Sequence, residues 1–140
     1  MNQKVFKTML AILIVITVIG VVALVMVMTI SGKEKEDGKP SIDEVVENSL
    51  ETEELTTDLK NDRFVRIQFR IVTNSKDAKE ELQKRDFQLK NILIKELSKM
   101  NQDEFKTGVD NLENMLKTRL NELMVEGKVI DVYTIKKVLQ

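Results

Sequence analysis

Neighbouring carboxylates are the residues whose types and spacing come nearest to doing chemistry in this sequence. Asp43/Glu44, Glu53/Glu54 and Asp103/Glu104 are adjacent acids. Two carboxylates act as general acid and base when both face one reacting bond. Neighbours on a strand instead point to opposite faces. Acids in the first turn of a helix complement its dipole. The three pairs therefore read as solvated or capping charges. Asp58-Leu59-Lys60-Asn61-Asp62 offers oxygen ligands but lacks the glycine turn and the distal glutamate of a calcium loop. The chain holds no histidine and no cysteine. That removes the usual general base, the commonest metal ligands, the thiol nucleophile and any disulfide. A serine nucleophile would find no imidazole to activate it, and the five glycines are scattered rather than gathered into a phosphate loop. No catalytic, cofactor-binding or metal-ligating set emerges, and no cofactor is expected.

The elements that would have to position such residues begin with a membrane anchor. Residues 8–32 carry no charge. As a helix this run spans about 37 Å at roughly 1.5 Å per residue, enough to cross a hydrocarbon core of roughly 30 Å with some tilt. Its apolar residues go all the way round, and Thr17 and Thr29 can bond back to the helix. A cleaved signal peptide is the rival reading. Its apolar region is shorter, and Met28-Thr29-Ile30-Ser31-Gly32 fits a small-x-small cleavage site poorly. Lys4 and Lys7 precede the run, and Lys33, Lys35 and Lys39 follow it, so the basic count alone leaves orientation nearly undecided. A short cationic N-terminus before a first helix favours the C-terminal part outside. Thr17, Gly20 and Ala23 recur every three residues and leave a shallow flat for transmembrane packing, although not at the i, i+4 spacing typical of such contacts.

Residues 31–40, SGKEKEDGKP, hold two glycines, the only proline and six charges. This is a solvated tether. Ser41 with Glu44 fits a capping box opening a short helix to about Asn48. Residues 50–59 read as a short strand plus turn, and Asn61-Asp62 as turn chemistry. Residues 64–73 form the clearest strand: Val65, Ile67, Phe69 and Ile71 alternate with Arg66, Gln68 and Arg70. Asn74 or Ser75 caps one long helix to about Met100, with Ala78, Leu82, Leu89, Leu93 and Leu97 on one stripe. Asn101 starts a short turn of helix, and Thr107 with Asp110 repeats the capping pattern. Val109, Leu112, Leu116, Leu120 and Leu123 give a second amphipathic helix, ended by Gly127-Lys128. Residues 129–139 read as a final strand. The expected fold class is α+β: a single N-terminal transmembrane helix, then a small antiparallel sheet packed with two main helices.

Phe87 and Ile94 lie seven positions apart, nearly opposite the leucine stripe, on an otherwise polar face. Either the second main helix or the short N-terminal helix of the domain covers them, or they form a contact face for another molecule. With the N-terminus inside, only about seven residues would lie on the far side of the membrane, so a signalling output would have to pass through a partner helix. Binding or scaffolding is the function class left.

These stretches, in their order, resemble the flagellar basal-body-associated FliL family over essentially the whole chain. Thr56-Thr57-Asp58-Leu59 before Arg63-Phe64-Val65-Arg66-Ile67 is similar to that family's first long strand. Residues 85–98, RDFQLKNILIKELS, resemble its central helix. Asp103-Glu104-Phe105 followed by Gly108 resembles its helix-to-helix turn. Leu116-Lys117-Thr118-Arg119-Leu120-Asn121, then Gly127-Lys128-Val129-Ile130-Asp131-Val132-Tyr133 and Gln140, resemble its ending. Two departures touch packing detail: Ile135-Lys136-Lys137 stands where many relatives carry an aromatic, and Phe87 where a proline is common. The resemblance implies a non-enzymatic, single-pass protein of the cell membrane with its domain outside the cytoplasm. It implies a stomatin-like membrane-associated fold, self-association into a ring, and partnership with the basal body and the ion-driven stator in motility and chemotaxis. The implied layout is a tail at 1–7, a transmembrane helix at 8–32, a linker at 33–41 and the folded domain at 42–140. The alternatives are a scaffold or sensor subunit of another envelope complex, or a cytosol-facing adaptor if the topology is inverted.

Overall fold

The computed structural model describes residues 2–31 and 38–140; most of the charged tether, residues 32–37, lies outside them. The chain divides into two compact units, Met1–Pro40 and Ser41–Gln140. The first is the helix α1 (Gln3–Ser31). Within it Gln3–Val27 is long and apolar enough to cross a membrane, with side chains exposed on every side. Two of its threonines bond back to the helix. Thr8 Oγ1 donates to Lys4 O and Thr17 Oγ1 to Leu13 O, both at 2.8 Å, the back-bonding that lets threonine sit in an apolar helix.

The second unit runs α2 (Ile42–Glu47), β1 (Ser49–Glu51), β2 (Leu55–Asp58), β3 (Phe64–Thr73), α3 (Lys76–Lys84), α4 (Asp86–Leu97), α5 (Gln102–Thr107), α6 (Val109–Leu123) and β4 (Val129–Leu139). All strand pairs are antiparallel. β3 is central. β4 pairs along its whole length, from Val65 opposite Leu139 to Thr73 opposite Val129. β1 and β2 share its other edge in succession. Between them the buried Thr52 keeps the ladder going. Its N–H donates to Phe69 O, and its hydroxyl accepts from Phe69 N at 3.1 Å. The expected single strand in this region is therefore two short ones joined by a side-chain rung.

The alternation read in β3 is the burial seen. Val65, Ile67, Phe69 and Ile71 are buried, while Arg66, Gln68 and Arg70 are partly exposed. Against that face pack Leu82, Leu89, Leu93 and Leu97 of α3 and α4, Phe105 of α5, and Leu112, Leu116 and Leu120 of α6. Each such leucine contributes on the order of 1.5–3 kcal/mol when taken fully out of water.

Three local expectations are corrected. The long helix is two helices broken at Arg85 (φ −92°, ψ 11°), whose N–H is shared between Glu81 O and Leu82 O. The break lets both halves keep their leucines on the sheet. Thr107 and Asp110 do not cap α6. Gly108 opens it without a side-chain cap, and Thr107 Oγ1 donates back to Asp103 O. Gly108 is there because a Cβ would lie 2.6 Å from Glu104 O. Finally, α6 stops at Leu123, four residues before Gly127, because the next backbone N–H groups are claimed by Glu81. The capping boxes at Ser41/Glu44 and Asn101/Glu104 both form.

Candidate functional site

The acid pairs are spent on structure. Glu53 Oε2 lies 2.7 Å from Lys90 Nζ. Glu54 bridges Arg66, at 3.0 Å, and Lys136, both cations holding its carboxyl below the usual range. Asp43 and Glu44, like Asp103 and Glu104, occupy first turns of helices. Asp58 accepts from Thr57 and Asp62 supplies a left-handed turn residue (φ 59°). Among the described residues no three acids gather where a metal could sit.

The most elaborate polar arrangement escaped the sequence reading. Glu81, on α3, accepts from Val125 N at 3.0 Å and from Glu126 N at 2.7 Å, and from Arg85 Nε at 2.8 Å. Burial pushes its carboxyl up. The two backbone N–H groups and the Arg85 guanidinium outweigh that and hold it below its ordinary value. Arg85 also donates to Gln88 Oε1 at 2.8 Å, so one carboxylate fixes both the helix break and the α6–β4 loop. Asn74 works beside it: its side chain accepts from Lys128 N at 2.8 Å. On α6, Asn121 takes both the N–H and the C=O of Val129, and Glu113 accepts from Thr134 N at 2.7 Å. These are bolts between elements. Their contacts run between residues up to 54 apart, and no periodic signal marks such pairs.

What remains as a surface able to meet another molecule is apolar. Phe87 is 70% exposed and Ile94 43%. Neither α6 nor α2 covers them. They point outward from α4, opposite Leu89 and Leu93, which are in the core. Phe87 also stands at the rim of an open groove of about 730 Å³ between α4 and α6, walled further by Ile92, Lys95, Lys99, Arg119 and Leu123. Lys90 beside the pair is anchored to Asp86 at 2.6 Å and to Glu53; both acids hold its ammonium protonated above the ordinary range. In α1, Thr17, Gly20 and Ala23 are exposed with the rest of the helix, and Gly20 has open space beside its Cα. Nothing else on α1 distinguishes that strip.

Residues 49–140, the sheet and its helices from β1 onward, match the family of flagellar basal body-associated protein FliL. The chain belongs to the FliL family. The flagellar protein FliL of Bacillus subtilis (strain 168) is 42% identical over 102 residues, covering 71% of this chain and 73% of that relative. The FliL match takes in the Glu81 latch, the Thr52 rung and the exposed pair on α4 alike, and it begins just after α2. A FliL protein is associated with the flagellar basal body, and this one carries a helix fit to hold it in a membrane.

Proposed function

We propose that this protein supports engagement of the ion-driven stator with the flagellar basal body, and so rotation, swimming and chemotaxis. It acts by binding and not by catalysis. The observation that carries the reading is the combination of a membrane-capable helix with a basal-body family domain whose adjacent acid pairs are taken up by ion pairs and helix first turns. In this reading residues 1–7 are cytoplasmic, 8–32 span the membrane, 33–41 form the linker, and 42–140 lie outside. The domain associates with further copies of itself, in a ring, and Phe87 and Ile94 belong to a contact face. Large exposed apolar side chains on a polar helix face mark such surfaces.

The test is a deletion strain scored for swimming in soft agar and for retention of a fluorescent stator subunit at the basal body. Reduced swimming with faster stator loss is expected, restored by the full chain. A deletion strain with normal swimming and normal stator residence overturns the stator role.

A further inference from the structure

Helix α2 buries none of its residues. Ile42 is 73% exposed and Val46 54%; four positions apart, they share one face of the helix. Six residues are far too few for a helix to persist on propensity alone, so its contacts hold it. Ser41 and Glu44 close the capping box. Lys79 Nζ donates to Glu47 O at 2.8 Å, and Lys76 pairs with the Glu47 carboxylate at 2.7 Å. Asn48 O accepts both the N–H and the hydroxyl of Thr73, at 3.0 and 2.7 Å. These bonds pin α2 to the start of α3 and the end of β3. None of them needs an aliphatic side chain at 42 or 46. The match to the FliL family begins at residue 49, so α2 lies before it. The exposed pair belongs to the segment that joins the domain to α1.

That position selects what the pair can meet. Nine residues, 32–40, separate Ser31 at the end of α1 from Ser41. Whatever path they take, at no more than roughly 3.6 Å per residue they reach at most about 36 Å. A domain of this size has a radius of gyration of about 13 Å. The tether therefore keeps α2 within about one domain width of the end of α1, a limit that does not apply to Phe87 and Ile94 across the domain. Charge points the same way. Glu44 is taken into the capping box and Glu47 is matched by Lys76, so α2 offers an apolar pair with little uncompensated charge to attract an ionic partner.

We propose that α2 rests on the surface of the bilayer that α1 spans, with Ile42 and Val46 in the boundary between headgroups and acyl chains. The inference rests on the reading of α1 as an uncleaved anchor and is independent of the stator role. Two aliphatic side chains would not hold a free protein on lipid, since even a single myristoyl chain binds marginally. A short tether makes this second contact intramolecular, at an effective concentration on the order of millimolar. Because α2 is bolted to α3 and β3, seating it fixes which way the rest of the domain faces.

The chain has no tryptophan, so a single introduced indole reports its own surroundings. Full-length chain carrying Ile42→Trp, Val46→Trp or Phe87→Trp is reconstituted into phosphatidylcholine vesicles with and without bromine on the acyl chains. Emission from positions 42 and 46 should lie further to the blue and be quenched several-fold more than from 87. Phe87, 70% exposed, carries the same ring at a comparably open site and so measures the ring's own affinity for lipid. Adding Val46→Asp to Ile42→Trp should bring its quenching down to the Phe87→Trp level. Anionic phosphatidylglycerol or added salt should change little. Equal quenching at 42 and 87 overturns the proposal. So does quenching of Ile42→Trp that survives Val46→Asp, or quenching that appears only with anionic lipid. A carbonate wash separates this failure from that of the anchor. Chain that stays in the vesicles without quenching at 42 overturns only the α2 contact; chain that washes off overturns the anchor and the contact together.

Discussion

Glu81 shows what a carboxylate does in a chain that assigns its acids to structure. Its oxygens take two loop N–H groups and a guanidinium, and its carboxyl is held below the ordinary 4.5. The stability it adds is therefore fully present above about pH 4.5 and is lost as pH falls through the lower folded value. Glu81→Gln keeps the size but loses the charge, and leaves Arg85 and the 125–126 backbone with weaker acceptors. It should lower the stability of the domain by about 2 kcal/mol, the scale of hydrogen bonds to a charged group. The measurement is urea unfolding at pH 7 and at pH 3. The gap between parent and variant should be smaller at pH 3 than at pH 7, because the carboxylate's contribution is progressively lost as the pH falls below the unfolded value toward and through its lowered folded value. An equal gap at both pH values would mean that shape, not charge, closes the loop. Lys137 tells a similar story in miniature. It stands on the core side of β4 opposite Ile67, yet its ammonium lies 4.9 Å from the Phe105 ring centre and donates to Lys106 O. Burial lowers its affinity for a proton, and the carbonyl and the ring give the charge a place to rest.

At the scale of elements, periodicity carried most of the fold. The β3 alternation, the leucine stripe from Leu82 to Leu97 and that from Leu112 to Leu120 all became the core, because burying one face is what makes each element form. The breaks did not show. Nothing local to Arg85 predicts a helix interruption, for Arg is a good helix former; the cause is Glu81 reaching a loop 44 residues on. Thr52 reads as one more polar residue until its hydroxyl is seen replacing a ladder carbonyl. The exposed pair was legible for the opposite reason, since Phe87 and Ile94 violate the pattern of their own helix. This division makes a prediction on α4. Phe87→Ala should leave the melting temperature of the isolated 41–140 domain nearly unchanged, because surface substitutions generally fall within about 0.5 kcal/mol. Leu93→Ala, one and a half turns on and 2% exposed, should cost about 2–5 kcal/mol and lower it sharply. Thermal unfolding followed by circular dichroism separates the two. A Phe87→Ala domain that melts far below the parent would return Phe87 to the core and remove it from any contact face.

At the scale of the whole molecule, orientation decides which partners the domain can reach. The charges flanking the helix argue weakly, with Lys4 and Lys7 on one side and Lys33, Lys35 and Lys39 on the other, and acids near a span contribute little to topology. The proposed role is firmer about direction, because an assembly built around the basal body outside the cytoplasm needs the 42–140 domain on that side. The helix itself argues against removal: its apolar stretch Gln3–Val27 exceeds the 7–15 residues of a signal-peptide core. An alkaline phosphatase fused after Gln140 should therefore be active, and the mature protein should keep its N-terminal residues through Lys7. The two readouts separate two different errors. A mature N-terminus near Ser31 would make the segment a leader, releasing the domain from the membrane. An inactive fusion on an uncleaved chain would place the domain in the cytosol. There an adaptor role on the rotor side would replace stator support.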